Sequence, residues 1–376
     1  MFSKKCSKQI KGGTVAALLA MASGAGLVRS VPAQAVAAAA AQPTTFKFSF
    51  GTSAPPGFTL VAADARYNDQ TGFGFEDIGG GFSTLVPART NTMDDSGHLT
   101  AKTPVFFSVK VPEGNYRVTV NMGGAEGTTT VKAELRRLML DQIHTKDGEF
   151  VSKTFSVNVH KPPILDATGK QVSAVKVSGR EVSARGGRGG PAPVGVGATL
   201  NLNRTQGGEG WSWDDTLTLE FSGTPDVRSV EIQRDDTIKN IFICGDSTVC
   251  DQPAEPFTSW GQVITRWIKP EYSVSNYAIS GNTAAAFYGA LRMEKIISQL
   301  HPGDYVFVQY GHNDMKSTAA DALASYKNFY KRFVADTRAK GATPVILTPV
   351  SRETFDKEGK ITNSFLTARG DDFPKA

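Results

Sequence analysis

The chain has 376 residues, enough for two separately cored domains, and its 40% apolar and 20% charged composition is that of an ordinary globular protein. Its formal charge of +5 is confined to residues 1–35, which hold Lys4, Lys5, Lys8, Lys11 and Arg29 and no acid, leaving 36 of the 41 basic residues against all 36 acidic ones. A neutral body of this kind excludes an electrostatic case for nucleic acid or an anionic membrane as partner.

In chain order, residues 1–35 read as a secretory signal. Lys4 to Lys11 are a basic start, Thr14 to Leu27 a short apolar run, and Ala33-Gln34-Ala35 a cleavage site. The run is short for a bilayer span, and no later stretch is apolar enough to be one. The expectation is a secreted or periplasmic protein with no membrane attachment after cleavage. Residues 36–44 read as a linker. From residue 45 to 235 the texture is short alternating runs, such as Phe46-Lys47-Phe48-Ser49-Phe50, Phe106 to Val111, Tyr116 to Val120, Thr154 to Val159, Leu217 to Phe221 and Val230 to Ile232. Pro112-Glu113-Gly114-Asn115 predicts a hairpin between the second and third of these. The period of two, with little helical periodicity, predicts a β-sandwich. Residues 178–199, including Arg185-Gly186-Gly187-Arg188-Gly189-Gly190-Pro191, read as a long flexible loop on it.

At about residue 238 the texture changes. Ile241-Phe242-Ile243-Cys244 is a continuous apolar run, the mark of a strand buried on both faces. Phe257 to Ile268 has helical spacing, Tyr272 to Ile279 reads as a strand, Thr283 to Leu300 as one helix, and Tyr305 to Val308 as a strand. Asp321 to Lys340 reads as a helix ended by Gly341, and Thr343 to Leu347 as a fourth strand. The alternation predicts a parallel sheet with right-handed crossovers, whose site lies at the carboxyl ends of the strands. Of the three cysteines Cys6 lies in the signal. Cys244 and Cys250 do not make a disulfide framework; a bridge between them is open to an exported protein, yet Cys244 ends a buried-type strand where a free thiol is the commoner state.

Three strand ends carry the chemistry: Gly245-Asp246-Ser247-Thr248-Val249, Ala278-Ile279-Ser280-Gly281-Asn282-Thr283 and Gln309-Tyr310-Gly311-His312-Asn313-Asp314. A serine nucleophile needs an exposed hydroxyl and nearby N–H donors for the oxyanion. Gly245 allows a tight turn off the strand, and a helix beginning after Ser247 would aim N–H groups at the developing charge. Gly281 would bring its own N–H to the same point, and Asn313 would add an amide donor. A lone Gly-Asp-Ser is usually just a turn. All three segments, in order, at successive predicted strand ends make a site.

On these residues the chain resembles the SGNH (GDSL-type) hydrolases, and within them the rhamnogalacturonan acetylesterases. Gly245-Asp246-Ser247-Thr248-Val249 is similar to the first conserved block, Gly281 to the glycine of the second, and Gly311-His312-Asn313-Asp314 to the third. Thr343 to Arg352 and Trp260-Gly261 are also similar to the acetylesterase branch. The resemblance covers 238–376 and implies a three-layer α/β domain with Ser247 as nucleophile. It also implies an oxyanion hole from the N–H groups of Ser247 and Gly281 and the Asn313 amide, with Asp246, Thr248 and His312 in support. The N-terminal sandwich resembles the galactose-binding-like accessory domain of some bacterial members. No metal or cofactor is implied, and the implied partner is an acetylated polysaccharide.

The pattern breaks at the fourth block, an Asp-x-x-His near the C-terminus that supplies the base. Of the five histidines, His98, His144 and His160 lie in the β domain, too scattered for a metal site, and His301 looks like a helix-end residue. His312 belongs to the third block and reads as a hydrogen-bonded residue behind the site. The expectation is a hydrolase domain incomplete at its C-terminus and nearly inactive as given. Two other readings stay open: a lipase or thioesterase on the same scaffold, and a carbohydrate-binding protein with a vestigial hydrolase half, with Trp211, Trp213 and Tyr67 as sugar-stacking candidates.

Overall fold

The computed structural model describes residues 44–76, 91–93, 98–177, 180–182, 197–200, 202 and 209–376. The expected signal, the linker up to residue 43 and most of the Gly-rich stretch lie outside the described residues. Alternating burial builds the N-terminal half, as along Gly127–Ala133, where every second residue faces inward. One sheet runs Phe150–Val159, Gly114–Gly123, Asp226–Arg234, Thr45–Ser49 and Thr59–Leu60, with Asn91–Met93 and Leu99–Ala101 to one side. The other runs Phe73–Glu76, Val105–Lys110, Thr216–Thr224, Gly127–Ala133 and Arg137–Thr145. They share one core, in which Phe50 meets Phe107 edge-on at 5.0 Å.

The expected hairpin at Pro112–Asn115 is not one. Val105–Lys110 pairs with Thr216–Thr224, whereas Gly114–Gly123 pairs with Phe150–Val159 in the opposite sheet. The segment is a corner that puts Phe107 and Val109 across the core from Val118 and Val120, and Tyr116 fixes it by donating its hydroxyl to the Pro112 carbonyl at 2.7 Å. A true hairpin goes unannounced by an apolar pattern: Gly127–Ala133 and Arg137–Thr145 are antiparallel neighbours joined at Glu134–Arg136. Its first strand is threonine-rich, and the inward Thr129 is satisfied by accepting the Asp226 N–H at 3.2 Å.

Four parallel strands form the C-terminal sheet, in the order Tyr272–Asn276, Lys239–Gly245, Tyr305–Gln309 and Thr343–Ile346. The apolar run of the central strand is buried on both faces, as its composition requires: Phe242 and Cys244 pack among the helices, Ile241 and Ile243 against Val249, Val274 and Trp260. Cys244 and Cys250 are buried free thiols. The long helix Ala322–Ala339 ends at Gly341, whose φ of +72° closes the turn.

Two predicted helices differ. Thr283–Leu300 is broken into Ala284–Gly289 and Arg292–Gln299 at Leu291, which is left-handed at φ +61°. The break seats the buried Arg292, which donates to the Tyr277 carbonyl at 3.1 Å and pairs with Glu209. Phe257–Ile268 holds only a short helix, Trp260–Val263, and a 3-10 turn, Ile264–Trp267. Ser259, at the N-cap, spends its hydroxyl on the Cys250 carbonyl at 2.7 Å instead of capping the helix.

Candidate active site

Ser247 sits just past the end of the central strand, in a tight turn. The N–H groups of Val249 and Cys250 both donate to the Asp246 carbonyl at 3.0 Å. Gly245 is needed here by packing, since a Cβ would stand 2.5 Å from Val249 Cγ2 and 3.0 Å from the Gln309 carbonyl oxygen. The expected helix after Ser247 does not form: the chain makes one turn and runs into Asp251-Gln252-Pro253-Ala254-Glu255-Pro256, where two prolines bar helix continuation.

The three strand-end segments are stitched together. Ile279 N–H donates to the Gly245 carbonyl at 3.1 Å. Asn313 Nδ2 donates to the Asn282 carbonyl at 2.9 Å, and Ala284 N–H to Asp314 Oδ1 at 3.0 Å. Gln309 Nε2 donates to Thr248 Oγ1 at 2.9 Å while its Oε1 accepts from Trp260 Nε1 at 2.9 Å. Gly281 has φ +77° and a Cβ there would meet nothing within 4 Å, so glycine is required by backbone conformation and not by crowding.

Asp246 is fully buried behind the serine. Its Oδ1 accepts from Thr248 N–H at 3.0 Å and Thr248 Oγ1 at 2.9 Å, and its Oδ2 lies 3.6 Å from His312 Nδ1. Burial pushes its carboxyl upward, but His312 and the Thr248 donors outweigh that and hold it below the usual range. His312 is buried; its Nε2–H donates to the Val350 carbonyl at 2.9 Å and its ring leans on Phe365. Burial above all raises Asp314 to about 6, against the opposing pull of the Ala284 N–H.

Ser247 opens into a cleft of about 760 Å³, with Thr248, Gln252, Phe257, Thr258, Ser259, Trp260, Val263, Ser280 and Val350 as its other walls. On the adjoining strand ends, His312 is tied to the wall residue Val350, and Asn313 is tied to Asn282, the residue after Gly281. Gln252 and Phe257 have no site role in the sequence reading; only their nearness to the strand-end segments marks them, whereas Gln309 opens the third of those segments. Trp213, expected as a stacking candidate, is buried between His160 and Tyr277 and is closed to a sugar.

A parallel sheet bearing a serine turn at its carboxyl edge, with an adjoining glycine and asparagine, defines the C-terminal half as an SGNH hydrolase domain. Residues 243–369 match the GDSL-like lipase/acylhydrolase family. Residues 46–183 match the β-agarase/YXIM esterase-like, galactose-binding domain-like family. The chain is rhamnogalacturonan acetylesterase-like within that class. It is similar to the uncharacterized esterase YxiM of Bacillus subtilis, 26% identical over 85% of this chain and 73% of that protein. It is also similar to the rhamnogalacturonan acetylesterase RhgT of Bacillus subtilis, 35% identical over 33% of this chain and 54% of that one, so the matched segment spans about half of it. A crystal structure of YxiM superposes at 22% identity with a TM-score of 0.36, over 88% of this chain and 80% of that one.

Proposed function

We propose that this protein is an exported carboxylic ester hydrolase that removes acetyl groups from a pectic polysaccharide of rhamnogalacturonan type, through an acetyl-enzyme on Ser247. The observation that carries the reading is Ser247 itself, in an open cleft and on a turn locked to the Gly281 and Asn313 segments. The names of the similar acetylesterases supply the acetyl ester and the polymer.

Ser247 Oγ attacks the acetyl carbonyl carbon while its proton passes to a base. The oxyanion is met by the N–H groups of Ser247 and Gly281 and by Asn313 Nδ2, each worth about 10²-fold or more in turnover. Collapse breaks the bond to the sugar oxygen, which leaves protonated, and water then releases acetate and restores the hydroxyl. Asp246 acts through Thr248 and His312, holding the turn. The base is not His312, whose Nε2–H is committed to Val350 and whose Nδ1 faces Asp246. Among the described residues no side chain is hydrogen-bonded to Ser247 Oγ, so turnover by this chain is expected on the order of 10⁴-fold or more below that of a complete triad.

The preference for acetyl over long acyl groups follows the names of the similar acetylesterases, and Phe257 and Trp260 offer ring faces to a sugar in the cleft. The test is acetate release from acetylated rhamnogalacturonan, and p-nitrophenyl acetate against p-nitrophenyl octanoate, with mass spectrometry of the Ser247 peptide. Acetylation of that peptide, lost in Ser247→Ala, is expected. A Ser247 peptide that stays unacetylated in the parent, or a preference for octanoate, would end the proposal.

A further inference from the structure

We propose that the hairpin turn Glu134–Arg136 of the β-sandwich is a working part of the Ser247 cleft, and that Arg136 is a positioning residue for the nucleophile. The inference rests on the reading of Ser247 above and gives the N-terminal domain a role beyond sugar binding or spacing.

The segment from Asp251 to Ser259 forms one wall of the cleft, has no regular structure and carries two prolines, so its carbonyls find no ladder of their own. The sandwich supplies the missing donors. Arg136 NH1 donates to the carbonyls of Gln252 at 3.1 Å and Phe257 at 3.3 Å, and NH2 pairs with Glu255 Oε1 at 3.2 Å. One planar guanidinium therefore grips three points of the loop, a geometry lysine does not reproduce. Gln252 passes the constraint on: its Nε2 donates to the Ser247 carbonyl at 2.7 Å. Gln262 Nε2 bridges the same parts, donating to Leu135 O at 3.0 Å and Gln252 O at 2.9 Å. The next residue, Arg137, is buried and pairs with Asp251 at 2.7 Å.

The backbone of the turn points the same way. Glu134 and Arg136 have φ of +54° and +60°, a left-handed conformation that residues with a Cβ adopt at a cost. A turn that merely joined two strands would be better served by glycine or asparagine. Strain kept at a position whose side chain reaches the nucleophile loop fits a functional role.

That strain gives a discriminating variant, because Arg136→Gly relieves the backbone while removing the grip. In the full chain, Arg136→Gly, Arg136→Lys, Gln252→Ala and the double variant Arg136→Gly/Gln252→Ala are compared by two readouts. The first is amide hydrogen exchange of residues 247–258 against 114–123; the second is acylation by p-nitrophenyl acetate. For Arg136→Gly the thermal midpoint is expected to hold or rise. Exchange in 247–258 should rise at least tenfold and that in 114–123 stay unchanged. The acylation rate constant should fall about tenfold with KM within twofold. Lysine should recover only part of this, and the double variant should be no slower than the slower single one. Unchanged exchange in 247–258, or effects of the two substitutions that multiply, would overturn the proposal. Ser247→Ala run alongside reports on the nucleophile assignment alone, and the exchange arm decides the grip whatever that control shows.

Discussion

Two glycines beside Ser247 are required for opposite reasons, and replacing each by alanine separates packing from conformation. Gly261 is buried in the short helix Trp260–Val263, a conformation in which alanine is by itself preferred by about 1 kcal/mol. An alanine Cβ there would stand 2.1 Å from the Val249 carbonyl oxygen and 3.0 Å from Asn276 Nδ2. That oxygen is backbone and already accepts from Asn276 at 2.9 Å, so it cannot swing aside. Real Cβ contacts stop at about 3.0 Å, so Val249 or the helix must retreat by close to 1 Å. Overpacking of this kind costs about 1–3 kcal/mol. Because Val249 is two residues from Ser247, a displacement of that size costs about 10²-fold in rate. Gly281→Ala meets nothing within 4 Å and pays only for φ +77°, about 1–2 kcal/mol, with the segment still tied to Gly245 and Asn313. The assays are thermal unfolding and acylation by p-nitrophenyl acetate. Gly261→Ala is expected to lose both stability and about two orders of magnitude in rate. Gly281→Ala should lose similar stability but less than about tenfold in rate. Wild-type behaviour of Gly261→Ala, or the reverse ranking of rates, would refute the reasoning.

Phe257 is 69% exposed at the rim of the cleft and its carbonyl is held by Arg136, so Phe257→Ala removes only the ring. KM for an acetylated oligosaccharide is expected to rise roughly tenfold while KM for p-nitrophenyl acetate stays put, as lost stacking requires; steady-state kinetics on both substrates check it. Burial raises Glu294 to about 7, and its Oε2 has no hydrogen-bond partner. With the folded value above the ordinary 4.5, its contribution to stability is complete below that pH and is lost as pH climbs through 7. Glu294→Gln is expected to stabilise the protein by on the order of 1–3 kcal/mol at pH 8 and by nothing near pH 4, measured by urea unfolding. Asp214 and Asp314, each raised to about 6 chiefly by burial, add to the same downward slope in the parent.

The strands with apolar signatures were legible because their burial is a local property of composition. Ile241-Phe242-Ile243-Cys244 could be placed as a strand covered on both faces, and both faces are covered. What period alone does not carry is the choice of partner. Val105–Lys110 and Gly114–Gly123 have the pattern of hairpin arms and a turn between them, yet each pairs with strands far along the chain. The helix break at Leu291 was illegible for a related reason. The residue that exploits it, Arg292, takes its partners from Tyr277 and Glu209, neither of them on its own helix.

The site divides along the same line. Strand ends of a parallel sheet converge by topology, so placing the Ser247, Gly281 and Asn313 segments at three neighbouring ends was enough to bring them together. The side chains that hold them there cannot be seen that way. Gln252 is an unremarkable amide between an aspartate and a proline until its Nε2 is found on the Ser247 carbonyl and its own carbonyl beneath Arg136. Arg136 lies 111 positions earlier than Ser247, in a domain whose pattern speaks only of a sandwich core. An irregular loop cannot satisfy its own backbone, so a cleft walled by one must borrow donors from elsewhere in the fold. Here it borrows them from the domain that the sequence offered as an accessory, and so the nucleophile turn and the sandwich hairpin are parts of one construction.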